Sequence, residues 1–209
     1  MNGLLGKKIG MTQIFTEEGR AIPVTVVAAG PCLVVQRKTV EKDGYEAVQL
    51  GLVEERAPRH VSQPQVGHFG RAKVAPMRRL EEFAVTADEE LQAGDQVLST
   101  VFSVDDYVDV RARSKGKGFQ GVVKRYGFGG GGATHGSMFH RAPGSIGQAS
   151  DPSRVFPGVR LPGQMGAKLI TKKNLRIVKI DEAEGLLYIR GAVPGPRNGY
   201  VSIRRAKRG

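Results

Sequence analysis

Tyr107-Val108-Asp109-Val110-Arg111 alternates apolar and polar side chains. A period of two marks a strand with one face against a core, as a barrel strand has. Its polar positions change from acidic to basic, and there the chain enters a stretch of different composition. Between Val110 and Lys179, 70 residues hold fourteen Lys and Arg, fourteen Gly and a single carboxylate, Asp151. The remainder has eighteen basic and nineteen acidic residues, so this stretch (14 − 1 = +13) exceeds the whole net charge of +12. A segment so charged and so rich in glycine repels itself and has little to bury against the cost of ordering its backbone. It calls for a dense polyanion, and nucleic acid is the obvious one.

On either side of that stretch the pattern is β. Met11 to Phe15 is a short apolar run, closed by turn chemistry at Glu17-Glu18-Gly19-Arg20. Ala21 to Ala29 carries Ile22, Val24, Val26 and Val27, and Leu33 to Lys38 resumes after the Gly30-Pro31 break. Lys42-Asp43-Gly44 offers a hairpin turn before a strand over Tyr45 to Val53. From Glu54 to Met77 prolines and glycines divide a surface excursion with one short helix. Arg78 to Val85 reads as a strand, and Val97, Leu98, Val101 and Phe102 as a buried one. Leu175 to Ile180, Leu186 to Arg190 and Tyr200 to Arg204 complete the set. Short strands at roughly ten-residue spacing indicate an all-β barrel or sandwich. The expected fold is therefore mainly β: a closed β-barrel body from residues 1–113 and 169–209, with a long irregular Gly/Lys/Arg-rich extension loop, 114–168, inserted in it.

At 209 residues with 40% hydrophobic side chains and no Trp, the core is one of Val, Ile and Leu. No window reaches the eighteen or so apolar residues of a membrane span, and Lys7 and Lys8 interrupt any signal-peptide core. No membrane and a cytoplasmic location are expected. The lone Cys32, flanked by Pro31 and Leu33-Val34-Val35, reads as a buried structural thiol.

Ser114-Lys115-Gly116-Lys117-Gly118-Phe119 opens the insertion. Alternating Lys and Gly bring backbone close to a surface while ammonium groups project from it, which suits a phosphate backbone. Phe119, Tyr126 and Phe128 are expected to pack locally rather than stack on bases. Gly127-Phe128-Gly129-Gly130-Gly131-Gly132 formally satisfies G-x-G-x-x-G. The following Ala133-Thr134-His135-Gly136-Ser137 and Pro143-Gly144 will not sustain the helix that motif requires, so it carries no dinucleotide. His135 and His140 have no nearby third metal ligand and are read as phosphate or base contacts, with no metal or other cofactor. No acid–base pair follows from the spacing of Asp105, Asp106 and Asp109, so the chain is read as no enzyme. The C-terminal Arg204-Arg205-Ala206-Lys207-Arg208 is a second basic cluster, a further set of phosphate contacts.

The order of segments resembles a known family, the bacterial large-subunit ribosomal protein three, or universal L-three family. Leu4-Leu5-Gly6-Lys7-Lys8-Ile9-Gly10-Met11-Thr12-Gln13-Ile14-Phe15 is similar to its N-terminal signature. Pro23-Val24-Thr25-Val26 and Gly30-Pro31-Cys32 match similar strings, as do Ser114 to Phe119, Thr134 to Ser137 and His140-Arg141-Ala142-Pro143-Gly144-Ser145-Ile146-Gly147-Gln148. Gly163-Gln164-Met165-Gly166 and Gly191-Ala192-Val193-Pro194-Gly195-Pro196 complete a resemblance spanning essentially the whole chain. It implies a non-catalytic structural protein of the large subunit that binds 23S rRNA near its 3′ end. It also implies a role in starting subunit assembly, a loop reaching toward the peptidyl-transferase region, and large-subunit proteins fourteen and nineteen as neighbours. In some members the glutamine after Gly-Ser-Ile-Gly is methylated by a glutamine methyltransferase; here that position is Gln148. The lysine-rich string many members carry is replaced by Phe156-Pro157-Gly158-Val159-Arg160-Leu161-Pro162-Gly163, leaving Arg154 and Arg160 as the candidates there.

The residues expected on RNA are Lys115, Lys117, Lys124, Arg125, His135, His140, Arg141, Gln148, Arg154, Arg160, Lys168, Lys172, Lys173, Arg204 and Arg205. The insertion is expected to stay mobile until RNA neutralises it. The competing readings are a phosphate-using enzyme and a free-standing basic RNA-binding β-barrel.

Overall fold

The structure is a computed structural model that describes residues 1–85 and 91–207. Arg208, part of the C-terminal cluster, lies outside the described residues. The fold is mainly β, in several sheets. The strands are β1 (Gly3–Phe15), β2 (Ala21–Ala29), β3 (Cys32–Lys38), β4 (Ala47–Leu52), β5 (Leu80–Ala84) and β6 (Gln96–Val97). They continue with β7 (Tyr107–Arg113), β8 (Gly118–Gln120), β9 (Gly163–Met165), β10 (Leu169–Asp181), β11 (Leu186–Arg190) and β12 (Tyr200–Arg205). Three short helices interrupt them: α1 (Val40–Asp43), α2 (Gln63–Arg71) and α3 (Val122–Tyr126). The chain divides into two compact units, one of Met1–Arg113 with Leu169–Gly209, the other of Ser114–Lys168.

In the first unit, six strands pair antiparallel in the closed order β1-β12-β7-β10-β11-β2, and β2 returns to β1. A second sheet runs β5-β4-β3-β6. The alternation in β7 places Val108, Val110 and Ala112 inside, at 0%, 0% and 3% exposure. Their cross-strand partners Val201 and Ile203 of β12 are buried with them. β1 breaks the alternation, because Leu4 and Leu5 are both fully buried. Consecutive strand residues point to opposite faces, so both faces of β1 are covered here. Leu4 pairs with Ile203, and Cys32 of the second sheet donates its thiol to the Leu5 carbonyl at 3.5 Å. One core therefore joins the barrel residues to Val34, Val48, Leu50 and Phe83 of the second sheet.

The opposite face of β3 carries a smaller core, in which Val35 meets Phe69 and Ala72 at the end of α2. This helix starts at Ser62, whose backbone N–H donates to Gln65 Oε1 at 3.3 Å, with Pro64 in the first turn where its missing N–H costs nothing. Burial of Phe69 supplies about 2–3 kcal/mol of its attachment.

Several sequence expectations change. Lys42-Asp43-Gly44 closes a one-turn helix instead of a two-residue turn, with Gly44 at φ 84° as its left-handed cap. The expected buried strand over Val97 to Phe102 is only the pair Gln96–Val97 followed by a 3-10 turn, Ser99–Val101, and Leu98 is 46% exposed. Apolar residues recurred there without a period of two; Val97 and Phe102 are buried in the core, and Val101 packs against it partly exposed. β10 runs six residues further toward its N-terminus than the apolar pattern indicated, because Leu169 to Lys172 pair with β7 although their side chains face solvent. Its register shifts between Lys172 and Leu175, where Asn174 takes φ 54° and donates its N–H to Asp109 Oδ1 at 2.9 Å.

Cys32 is buried, and loss of solvation pushes its thiol pKa up to about 12. At pH 8 its thiolate fraction is about 10³-fold below that of an ordinary thiol. Alkylation should be undetectable in the native protein and complete on unfolding; labelling of the native chain at a free-thiol rate would show that the core opens. A Cβ at Gly3 would run into the Ile203 carbonyl and stand 2.6 Å from the Phe83 ring. Gly3→Ala should therefore cost about 1–3 kcal/mol, read as a lower denaturant midpoint; an unchanged midpoint would mean that the β1–β12 backbone and Phe83 both yield at no cost.

Candidate nucleic-acid interface

The second unit, Ser114–Lys168, begins and ends as a paired neck. Ser114 N–H donates to the Lys168 carbonyl at 2.8 Å, and Lys168 N–H to Ser114 Oγ at 3.2 Å. Lys117 N–H reaches the Met165 carbonyl at 2.9 Å, and β8 then pairs with β9. Gly166, at φ 70°, lies so close to the Lys115 carbonyl that any side chain would collide with it. The alternating Lys and Gly thus continue a two-stranded ladder, with Lys115 and Lys117 exposed on it.

α3 follows, with Val122 buried and Gly127 at φ 74° closing the helix by an N–H bond to the Val123 carbonyl. Arg125, expected on phosphate, faces inward to the unit. Its Nη1 donates to the Leu161 carbonyl at 2.5 Å and its guanidinium sits 4.9 Å from the Tyr126 ring centre. Gly163 makes room for it, since a Cβ there would stand 2.8 Å from Nη1. Arg160 lies over the same ring at 5.8 Å, and Tyr126 is 6.3 Å from Phe128. This stack clasps α3 to the chain 35 residues or so downstream. The aromatics divide accordingly: Tyr126 and Phe128 pack, as expected, whereas Phe119 is 75% exposed. A three-residue strand has no second layer to cover it.

The glycine tract has a steric reason. Gly131 N–H donates to the His140 carbonyl at 3.0 Å, and a Cβ on Gly131 or Gly130 would overlap the carbonyls of Phe139 or His140. His140 Nδ1–H points to the Gly132 carbonyl at 3.1 Å, fixing the ring beside the tract. No helix follows Gly132 among the described residues up to β9. His135 sits at φ 57° in an exposed turn. Gln148 is exposed, just after the Ser145 Oγ bond to the Gly147 carbonyl at 2.9 Å. Arg154 stacks over Phe156 at 5.1 Å, and Asp151 forms no ion pair among the described residues.

Lys115, Lys117, Lys124, Arg141 and Lys168 are exposed and make no ion pair among the described residues. In the first unit, Lys172 and Lys173 of β10 are exposed in the same way. The two C-terminal arginines are different. Arg204 donates to Glu81 Oε1 at 3.2 Å and to the Glu82 carbonyl at 3.0 Å, and Arg205 donates to the Val101 carbonyl at 2.6 Å and lies 3.7 Å from Asp106. Both are held by the body, a tertiary fact hidden in the basic run. Among the described residues no cluster of His, Cys, Asp and Glu is placed to hold a metal ion, and no helix is long and apolar enough to cross a membrane.

A unit with one buried apolar residue among those described, Val122, presents Phe119, Met138 (97% exposed), Ile146 and Phe156 beside unpaired cations. Apolar faces interleaved with ammonium and guanidinium groups match the bases and phosphates of a nucleic acid. Comparison with known proteins gives the family. The family model described as Ribosomal protein L3 matches residues 78–186. "Large ribosomal subunit protein uL3" of Solibacter usitatus (strain Ellin6076) is 53% identical over 207 residues, 99% of each chain. Proteins of the same name from Pelotomaculum thermopropionicum (98% of this chain, 96% of that one) and Carboxydothermus hydrogenoformans (99% and 98%) are each 51% identical. With a family model covering half the chain and such identity from end to end, this chain belongs to the ribosomal protein L3 family.

Proposed function

We propose that the chain is a structural constituent of the large ribosomal subunit, with no catalytic activity, working in the cytoplasmic ribosome. The closed barrel of residues 1–113 and 169–209 is its body. Residues 114–168 form an extension that threads between RNA helices toward the peptidyl-transferase region. The body and extension bind 23S rRNA directly near its 3′ end and help to start subunit assembly, with large-subunit proteins fourteen and nineteen as neighbours.

One observation carries this reading. The unit Ser114–Lys168 has eight Lys and Arg against Asp151, fourteen glycines, and only Val122 fully buried among its described residues. Burying one valine contributes about 2 kcal/mol, whereas fixing a backbone costs about 1–2 kcal/mol for each residue. Ordering of such a unit gains from an external polyanion, and glycine lets its backbone pass close to it. The hydrogen-bonded neck and the Arg125–Tyr126 clasp restrict the unit in advance and leave Lys115, Lys117, Lys124, Arg141 and Lys168 for phosphate. His135, His140, Arg154, Arg160, Lys172 and Lys173 add contacts at the edges. Gln148 is the glutamine that a methyltransferase would modify, and its exposure supports access.

If about six to ten phosphates are contacted, affinity for a 3′-domain fragment of 23S rRNA should fall roughly 10³- to 10⁵-fold between 50 and 200 mM salt. Filter-binding titrations read this directly, and a flat response defeats the proposal. Protein from purified subunits should weigh about 14 Da above its sequence mass, with fragmentation placing the methyl group on the Gln148 amide; an unshifted mass would leave Gln148 an unmodified RNA contact.

A further inference from the structure

The body carries a groove of about 450 Å³ lined by Arg79, Leu80, Glu81, Arg111, Leu169 and Arg204. It lies between β5 of the second sheet and strands β7, β10 and β12 of the barrel. Glu81, only 14% exposed, holds two of the arginines, taking Arg79 Nη2 on Oε2 at 2.9 Å and Arg204 Nη2 on Oε1 at 3.2 Å. Arg204 is further steadied over the Phe83 ring at 5.1 Å. With one Nη of each guanidinium so occupied, Arg79 Nε and Arg204 Nε are shielded from solvent and have no hydrogen-bond partner among the described residues. Ser202 Oγ is in the same condition, and Ser202 is the cross-strand partner of Arg111. Buried polar atoms are seldom left unpaired; two of these belong to arginines that line the groove and the third to the residue paired with Arg111.

The charge also does not balance. The other carboxylate at the groove, Glu82, is taken by Lys38 at 3.0 Å. Three guanidiniums then face the single carboxylate of Glu81, a surplus of two positive charges (3 − 1). Arg111 is exposed and forms no ion pair among the described residues. A planar guanidinium fork matches the oxygens of a phosphate group, and fixing two of the three in advance reduces the ordering cost of binding. Leu169, 51% exposed, and Leu80 give the groove an apolar flank suited to a sugar.

We infer that the Arg79–Arg111–Arg204 groove, lined by residues of the first unit alone, is a phosphate-binding site that takes a phosphodiester of RNA, with Glu81 holding Arg79 and Arg204 in place. The RNA source of the phosphate rests on the function proposed above; the site itself does not. The test uses the full chain in two arms. In the first, the arginine Nε–H resonances are followed while inorganic phosphate is added at constant ionic strength, with chloride as control. Arg79, Arg111 and Arg204 should shift together and saturate, and Arg111→Gln should weaken binding about tenfold; absence of a saturable shift overturns the site. In the second, the salt dependence of binding to the rRNA fragment is measured for the parent, Arg111→Gln and the control Lys42→Gln, an exposed residue of α1 outside the groove lining. One lost phosphate contact should make the log–log slope shallower by about 0.7–0.9 for Arg111→Gln and not for Lys42→Gln. Phosphate binding with an unaltered slope overturns RNA as the source and leaves a site for free phosphate. A parent slope near zero defeats the proposed function instead, and the first arm still decides the site.

Discussion

β1 is a wall shared by two sheets. Leu4 and Leu5 are adjacent in the chain and both fully buried, which one strand achieves only when each face meets a hydrophobic layer. The closed ring of six strands lies on one side, and Cys32, Val34, Leu50 and Phe83 lie on the other. The approach is close enough that position 3 has no room for a Cβ between the Ile203 carbonyl and Phe83. Because the two layers share one core, β1 ties the ring of six strands to the second sheet.

The charges of the body follow from that packing. Its carboxylates are distributed over its cations: Glu54 meets Lys7 at 3.2 Å, Glu46 meets Arg37 at 2.5 Å, and Asp105 meets Arg176 at 2.8 Å. Partly exposed pairs of this kind add little stability, but 19 carboxylates against 24 cations (24 − 19 = +5) leave the body far nearer electrical balance, for its number of charges, than the basic unit. The unit Ser114–Lys168 has one carboxylate for eight cations and no such balance. Its shape is held instead by backbone contacts that only glycine permits, at Gly130, Gly131 and Gly166, and by Arg125 bonded across to the Leu161 carbonyl. One of the eight cations therefore supports the unit from within, and an exposed set remains for a polyanion.

Much of this was legible in advance. Alternation in β7, and short strand-forming runs between Gly and Pro turns at β11 and β12, marked strands that the structure contains. The motifs around Ser114, His140 and Gly163 carried the family. Less was legible where local pattern and tertiary need diverge. The N-terminal half of β10 is a strand because β7 offers a partner, not because its side chains alternate. Arg125 read as one more cation, and nothing nearby in sequence reveals that Leu161 and Gly163 wait for it. Phe119 read as a packing residue because aromatics usually are, yet no layer covers its strand.

What the chain alone determined is the segregation of its charge and its strand-forming runs, since composition and periodicity are local properties that survive without coordinates. What only the folded molecule decided is which cations a carboxylate holds in place and which stand without one. Arg204 and Lys115 look equivalent in a string of letters. The first meets Glu81 and Phe83 across 120 or so residues of chain, and the second meets no counter-charge among the described residues. Ion pairing depends on distances of a few ångströms, and those are set by the closure of the sheets rather than by neighbours in sequence.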